Sequence, residues 1–278
     1  MNEARSSGPL IDCDAAAALI GPLTELVIRA GAAIMAVNRG AMRIDGKDDG
    51  SPVTEADLAA DRLIAEGLAR LVPAIPAISE ECVHRAKPPF DGSFFLIDPL
   101  DGTKEFVAGR GEFTVNIALV SNGTPLLGII GAPALGLIWR GLVGRGAERL
   151  AIGDAGAIVS AEPIHTRRFP PAGAPWIAAV SRSHGDARTE AFIDGRPGAV
   201  RLKLGSAVKL GRVAEGAADI YPRLAPTSEW DIAAGHAVVT AAGGRITDAQ
   251  GADVPFGQGR TDFIVPEFIA WGDPSAAS

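Results

Sequence analysis

The chain has 278 residues, 26 Lys+Arg against 33 Asp+Glu, a formal charge of −7 and two cysteines. With 47% hydrophobic and 21% charged residues it is a globular chain, long enough for one large domain or two modest ones, each with its own core. The acidic excess argues against a grip on a nucleic-acid polymer, and Cys13 and Cys82 are too few for a disulfide scaffold or a cysteine zinc site, which fits a reducing, cytoplasmic compartment.

Met1 to Pro9 lacks the apolar h-region of a signal peptide. Asp14 to Asn38 carries Leu19, Leu23, Leu26, Val27, Ala30 and Ile34 at helical spacing, so a helix is expected there, with a restart at Pro22 and a stop at Gly40. Arg43 to Pro52 is polar and reads as a loop. Thr54-Glu-Ala-Asp57 is a capping-box variant that opens a second helix, running to about Leu71. Ala74 to Ser79 and Phe94 to Asp98 read as short strands, each ending in acidic residues.

Phe113 to Trp139 is 27 residues without a charge, long enough for a membrane span. The turn chemistry of Ser121-Asn-Gly-Thr-Pro125 and the β-branched run Thr114 to Val120 argue instead for two or three buried antiparallel strands. Nothing else encodes a span, and attachment to the inner face of a membrane stays open. Arg145 to Pro175 is rich in Gly, Ala and Pro and reads as irregular, with a boundary in or near it. Residues 1–155 form the expected N-terminal unit and 156–278 the C-terminal one. In the second unit strands at 176–181, 200–204, 219–221 and 245–247 alternate with helices at 185–193, 206–215 and 228–242, an α/β layer after an α+β half. Pro274 to Ser278 reads as a frayed tail.

Asp98-Pro-Leu-Asp-Gly-Thr103 ends the apolar strand. Two carboxylates three residues apart, stiffened by Pro99, can converge on one small volume, where they repel unless a hard cation such as magnesium joins them. The Leu100 carbonyl can add a further ligand, Gly102 permits an unusual turn, and the amides opening a helix at Thr103 favour phosphate. The plain alternative is an Asp-Gly turn with a helix cap. Ser79-Glu-Glu81 ends the neighbouring strand, which brings Glu80 beside the Asp98 cluster; alone, such a pair is solvated surface. Asp231, in Trp230-Asp-Ile-Ala-Ala-Gly235, falls in a helix first turn, where a carboxylate also serves as a cap. Ala233, Ala234 and Gly235 suggest close backbone approach. Residues 45–61 hold six acidic side chains and one lysine, mostly a solvated face, with Asp57 set apart by its place beside Thr54 at a helix start.

In this order the four blocks resemble the magnesium-dependent, lithium-sensitive inositol monophosphatase superfamily, over roughly residues 15–265. Asp101-Gly-Thr-Lys-Glu-Phe106, Gly111 to Leu119, Ser181-Arg-Ser-His184, Gly205-Ser-Ala-Val-Lys209, Tyr221-Pro-Arg223 and Trp230 to Val238 are similar to its CysQ-type branch, the 3′(2′),5′-bisphosphate nucleotidases. Ala207 departs from the second serine common there. The resemblance implies a layered αβαβα sandwich with the site between two subdomains. It implies that Glu80, Asp98, the Leu100 carbonyl, Asp101 and Asp231 hold two or three Mg2+ ions, and that Asp57, Glu80 and Thr103 orient and activate the attacking water. Gly102, Thr103 and Asp231 would contact the substrate, and Ser181, His184, Gly205 and Lys209 the nucleotide side. The expected partner is a small nucleotide bisphosphate, with a homodimer as a further possibility. An inositol or sugar monophosphatase with the same metal site is the alternative, and a non-catalytic magnesium or nucleotide sensor a third reading.

Overall fold

The computed structural model describes residues 6–39, 44–46, 52–85, 88–170, 173–183, 185–196, 198–258 and 262–277. Helix α1 (Cys13–Ala36) is capped by Asp12, whose carboxylate accepts the Ala15 N–H at 2.8 Å. It runs through Pro22 without restarting. The missing backbone N–H is destabilising there, but Ala16 before it and Leu23, Leu26, Val27, Ala30 and Ile34 after it are buried in one core. Its length and composition would also suit a membrane span, yet this face is packed inside the protein. The expected stop at Gly40 lies outside the described residues. Ile44–Gly46 and Pro52–Thr54 pair as a small antiparallel hairpin, where the sequence suggested only a loop. Helix α2 (Glu55–Leu71) follows, with Thr54 and Asp57 forming the expected capping box.

Seven strands make the first sheet: β1 (Ala77–Ser79), β2 (Ser93–Asp101), β3 (Thr114–Ser121), β4 (Thr124–Ala132), β5 (Leu137–Leu142), β6 (Gly146–Ile152) and β7 (Ile158–Ile164). Their spatial order is β7-β6-β5-β4-β3-β2-β1, antiparallel except for the parallel pair β1–β2. The uncharged run 113–139 is thus sheet, as its turn residues implied. Strands β6 and β7 correct the irregular reading of 145–175. Edge strand β7 leaves Ile158 and Val159 exposed, so no alternation of buried and solvated positions marks it. The change of sheet comes after Ile164.

The second sheet holds β8 (Ile177–Ser181), β9 (Val200–Leu204), β10 (Ile220–Arg223), β11 (Arg245–Thr247) and β12 (Phe268–Trp271), in the order β9-β8-β10-β12-β11. Strand β12, unforeseen in the sequence, runs antiparallel to both neighbours. Interleaved are α3 (Thr103–Val107), α4 (Ala187–Asp194), α5 (Val208–Ala214) and α6 (Glu229–Ala241). Helices α1 and α2 cover one face of the first sheet, α5 and α6 fill the space between the sheets, and α4 covers the outer face of the second. The result is the αβαβα sandwich. Residues Pro274–Ala277 form a 3-10 turn whose Ala277 is buried beside Trp271, so the tail is docked up to that point.

Glycine sets how closely α6 approaches the first sheet. A Cβ on Gly128 of β4 would stand 2.0 Å from the Ala234 carbonyl oxygen, and one on Gly141 of β5 would stand 2.9 Å from the Val238 Cα. Helix α6 therefore rests on bare backbone, as the small residues around Gly235 suggested.

Candidate active site

Strand β2 is buried along its length and breaks register at its C-terminal end. Asp98 pairs with Asn116, but Asp101 pairs with Thr114, leaving an extra residue in β2. Pro99 has no N–H to give the ladder, so a bulge forms there and turns both aspartates toward the same end of the sheet. The Leu100 N–H donates to Asp98 Oδ1 at 3.1 Å. Gly102 follows with φ of 89°, a left-handed conformation, and α3 starts at Thr103. The Thr103 hydroxyl donates to Asp57 Oδ1 at 3.1 Å and lies 3.2 Å from the Leu100 carbonyl oxygen. The second oxygen of Asp57 accepts the Thr54 N–H at 2.8 Å and the Thr54 hydroxyl at 2.6 Å.

Parallel pairing puts Ser79 opposite Ile97, so Glu80 emerges next to Asp98. Asp231 comes from the first turn of α6, where it accepts the Ser228 N–H at 3.0 Å and the Thr227 hydroxyl. Asp231 thus caps the helix, and it also lies on the cavity wall with Asp98 and Asp101. Behind Asp101, Ser206 (φ of 53°) places its hydroxyl 2.6 Å from that of Thr114, and Lys209 Nζ donates to the Ser206 carbonyl at 2.5 Å.

Together these groups border a cavity of about 350 Å3. Glu80, Asp98, Leu100, Asp101 and Asp231 lie on its wall. Gly102, Thr103, Ser181 and Lys209 lie there too. Asp57 stands behind Thr103. Gly205 is not on the wall: its N–H donates to Glu112 Oε2 at 2.9 Å, and a Cβ there would meet the Glu112 carbonyl oxygen at 2.5 Å. His184 lies outside the described residues. Lys209 is buried on the carboxylate side, 5.2 Å from the Tyr221 ring centre.

The electrostatics follow from crowding. Burial, then repulsion from Glu80, Asp101, Asp231 and Asp57, holds the Asp98 carboxyl well above its ordinary range. Burial and Asp231 push Asp101 up to about 6, against the opposing pull of Lys209 and of hydrogen bonds from Ser206 and the Ala207 amide. Burial also raises Asp57, although its bonds from Thr54 and Thr103 work the other way. Burial by itself lowers Arg223, yet Tyr221, Asp231 and Asp101 leave it raised on balance. Ser206, Thr114, Asn116 and Arg223 complete the surroundings of Asp101. All four fall in blocks that carried the resemblance, Gly111 to Leu119, Gly205-Ser-Ala-Val-Lys209 and Tyr221-Pro-Arg223, but none was singled out there as a neighbour of Asp101.

Donor chemistry fits a hard divalent cation: carboxylates and a carbonyl, with buried negative charge that the protein only partly neutralises. Among the described residues, no three His, Cys, Asp or Glu side chains are already gathered around one point as a metal cage. Capping bonds hold one Asp231 oxygen.

Residues 16–272 match the inositol monophosphatase family. The chain belongs to the inositol monophosphatase family of phosphatases. This phosphatase is 38% identical over 258 residues to the 3′(2′),5′-bisphosphate nucleotidase CysQ of Escherichia coli (strain K12), covering 90% of this chain and 98% of that one. The crystal structure of CysQ from Bacteroides thetaiotaomicron, a bacterial member of the same family, superposes with a TM-score of 0.73 at 31% identity, covering 90% and 96% of the two chains. The Thermotoga maritima IMPase gives 0.71 at 25% identity, over 91% and 92%.

Proposed function

We propose that this phosphatase is a magnesium-dependent 3′(2′),5′-bisphosphate nucleotidase, which hydrolyses 3′-phosphoadenosine 5′-phosphate to AMP and phosphate and accepts the corresponding phosphosulfate. The observation that carries the reading is that Glu80, Asp98, Asp101 and Asp231 line one cavity next to the Thr103–Asp57 pair. Similarity to the CysQ nucleotidases over nine-tenths of the chain supports the substrate class.

Glu80, Asp98, the Leu100 carbonyl, Asp101 and Asp231 would hold two or three Mg2+ ions. Bound there, the ions would neutralise the phosphate and make the attacking water acidic. The Thr103 hydroxyl orients that water and hands its proton toward Asp57, which burial makes a better acceptor. The Gly102 and Thr103 amides face the scissile phosphate. Attack is direct and in line, without a phosphoenzyme; inversion at a chiral phosphorus is the expected outcome, and retention would point to a phospho-aspartate instead. Ser181, His184 and Lys209 serve the nucleotide side, with Lys209 also holding the charge of Asp101.

A panel of 3′-phosphoadenosine 5′-phosphate, inositol 1-phosphate and a simple aryl phosphate, each with Mg2+ and with or without Li+, tests the reading. The nucleotide should have the highest kcat/KM, with inhibition by Li+. A higher value for inositol phosphate would overturn the substrate, and no Mg2+-stimulated phosphate release would overturn the activity.

A further inference from the structure

We propose that Asp61 is a positioning residue for Glu80, fixing the turn that offers this carboxylate to a divalent cation. The inference rests on the reading of Glu80 as a cation ligand. Asp61 lies four residues after Asp57 on α2, hence on the same helix face. That face carries two carboxylates with different partners. Asp57 reaches Thr103, while Asp61 reaches the end of β1.

Ser79 is the last residue of β1 and is buried. Its hydroxyl donates to Asp61 Oδ1 at 2.5 Å and accepts the Glu81 N–H at 3.4 Å. Beyond the pair Glu80-Glu81, the Cys82 thiol donates to Asp61 Oδ2 at 3.9 Å. The two oxygens of one carboxylate therefore take a donor from each side of Glu80 and Glu81. Neither contact touches the cavity; Glu80 does. A hydrophobic residue at 61 would pack against β1 but would leave the Ser79 hydroxyl without this acceptor and the 3-10 turn from Glu80 to Arg85 without its anchor. Groups that orient a ligand in this way typically govern metal affinity by about 10–100-fold.

The test reads metal binding without turnover. Mn2+ is titrated into the substrate-free protein and followed by electron paramagnetic resonance, for the wild type and for Asp61→Ala, Asp61→Asn, Ser79→Ala and Glu80→Gln. Metal-free thermal midpoints are measured alongside. The expected result is a loss of Mn2+ affinity of roughly tenfold or more in Asp61→Ala and Ser79→Ala. Asp61→Asn, which keeps an acceptor for Ser79, should recover most of it. A merely structural role would lower the midpoint and leave Mn2+ affinity in the folded protein unchanged. Wild-type affinity, within a factor of two, in both Asp61→Ala and Ser79→Ala, with Glu80→Gln weakened, would overturn this proposal and leave the metal site standing. Failure of the wild type to bind Mn2+, or wild-type binding by Glu80→Gln, would remove the metal reading of Glu80 and this proposal with it.

Discussion

The Thr103 hydroxyl and Asp57 meet at 3.1 Å although 46 residues separate them, and the other oxygen of Asp57 is already committed to the cap of α2. One carboxylate thus caps the start of a helix and receives a hydroxyl from the turn after β2. The two duties can be separated by substitution. Asp57→Asn keeps an oxygen for the Thr54 amide, so stability should change little, whereas turnover should fall by about 10²–10⁴ as the proton acceptor is lost. Asp57→Ala should lose turnover and also about 1 kcal/mol of stability from the missing cap. Thr103→Ser should stay active and Thr103→Ala should not. Steady-state kinetics with urea unfolding on the same samples checks all four; an active Asp57→Asn enzyme would remove Asp57 from the reaction.

Crowded buried carboxylates predict how the protein responds to cations. Adding Mg2+ should raise the thermal midpoint by several degrees, since saturation at a hundredfold excess over Kd is worth about 2.7 kcal/mol. Asp98→Asn removes the charge that feels the strongest repulsion. It should unfold at a higher temperature than the wild type when both are metal-free, and it should lose most of the Mg2+-dependent rise. Differential scanning fluorimetry across an Mg2+ series with a chelator control measures both. An unchanged Mg2+ response in Asp98→Asn would count against Asp98 as a ligand.

The site was more legible in the sequence than the sheets were. Asp98 stands at the bulge of β2 and Asp101 at its end, Glu80 follows β1 and Asp231 opens α6, places marked locally by Pro99, Gly102 and the turn residues before α6. Strands β6 and β7 are hidden because Gly146, Gly153 and Gly156 crowd their ends and the edge position of β7 removes the alternation that a half-buried strand shows. The bond from Ser79 to Asp61 and the approach of Ser206 to Thr114 join residues 18 and 92 apart, which no local pattern encodes. Gly205 looked like a binding glycine, yet its space is taken by the Glu112 backbone.

His236 predicts the acid limb of stability. It is buried on α6 against the Phe256 ring, its Nδ1 has no hydrogen-bond partner among the described residues, and burial lowers its pKa to about 4, against the smaller opposing pull of Asp253. The unfolded chain, with an ordinary histidine near 6.5, binds the proton first as pH falls. Stability from this group is therefore complete above pH 6.5, declines between 6.5 and 4, and levels off below 4, a loss of about 3 kcal/mol in all. Urea unfolding at pH 7 and pH 4.5 should show most of that difference in the wild type. His236→Leu should show a smaller one, and an equal slope in the two proteins would assign the acid sensitivity elsewhere.

Gly128 links the sheet to the chemistry. Its missing side chain lets the Ala234 carbonyl of α6 come within 2.0 Å of where a Cβ would stand, and Asp231 lies one helical turn earlier. Gly128→Ala cannot be absorbed by a rotamer change, because the obstruction is backbone. Helix α6 must move away from β4, at a destabilisation of about 1–3 kcal/mol or more, and Asp231 must move with it. Expected, then, are a lower thermal midpoint, a higher Mg2+ concentration for half-maximal activity, and little change in kcat once Mg2+ saturates. Gly141→Ala, which presses on α6 one turn after Gly235, should destabilise by a similar amount with a smaller effect on Mg2+. If the two variants shift the Mg2+ requirement equally, the displacement does not reach Asp231 selectively, and α6 responds as a rigid rod.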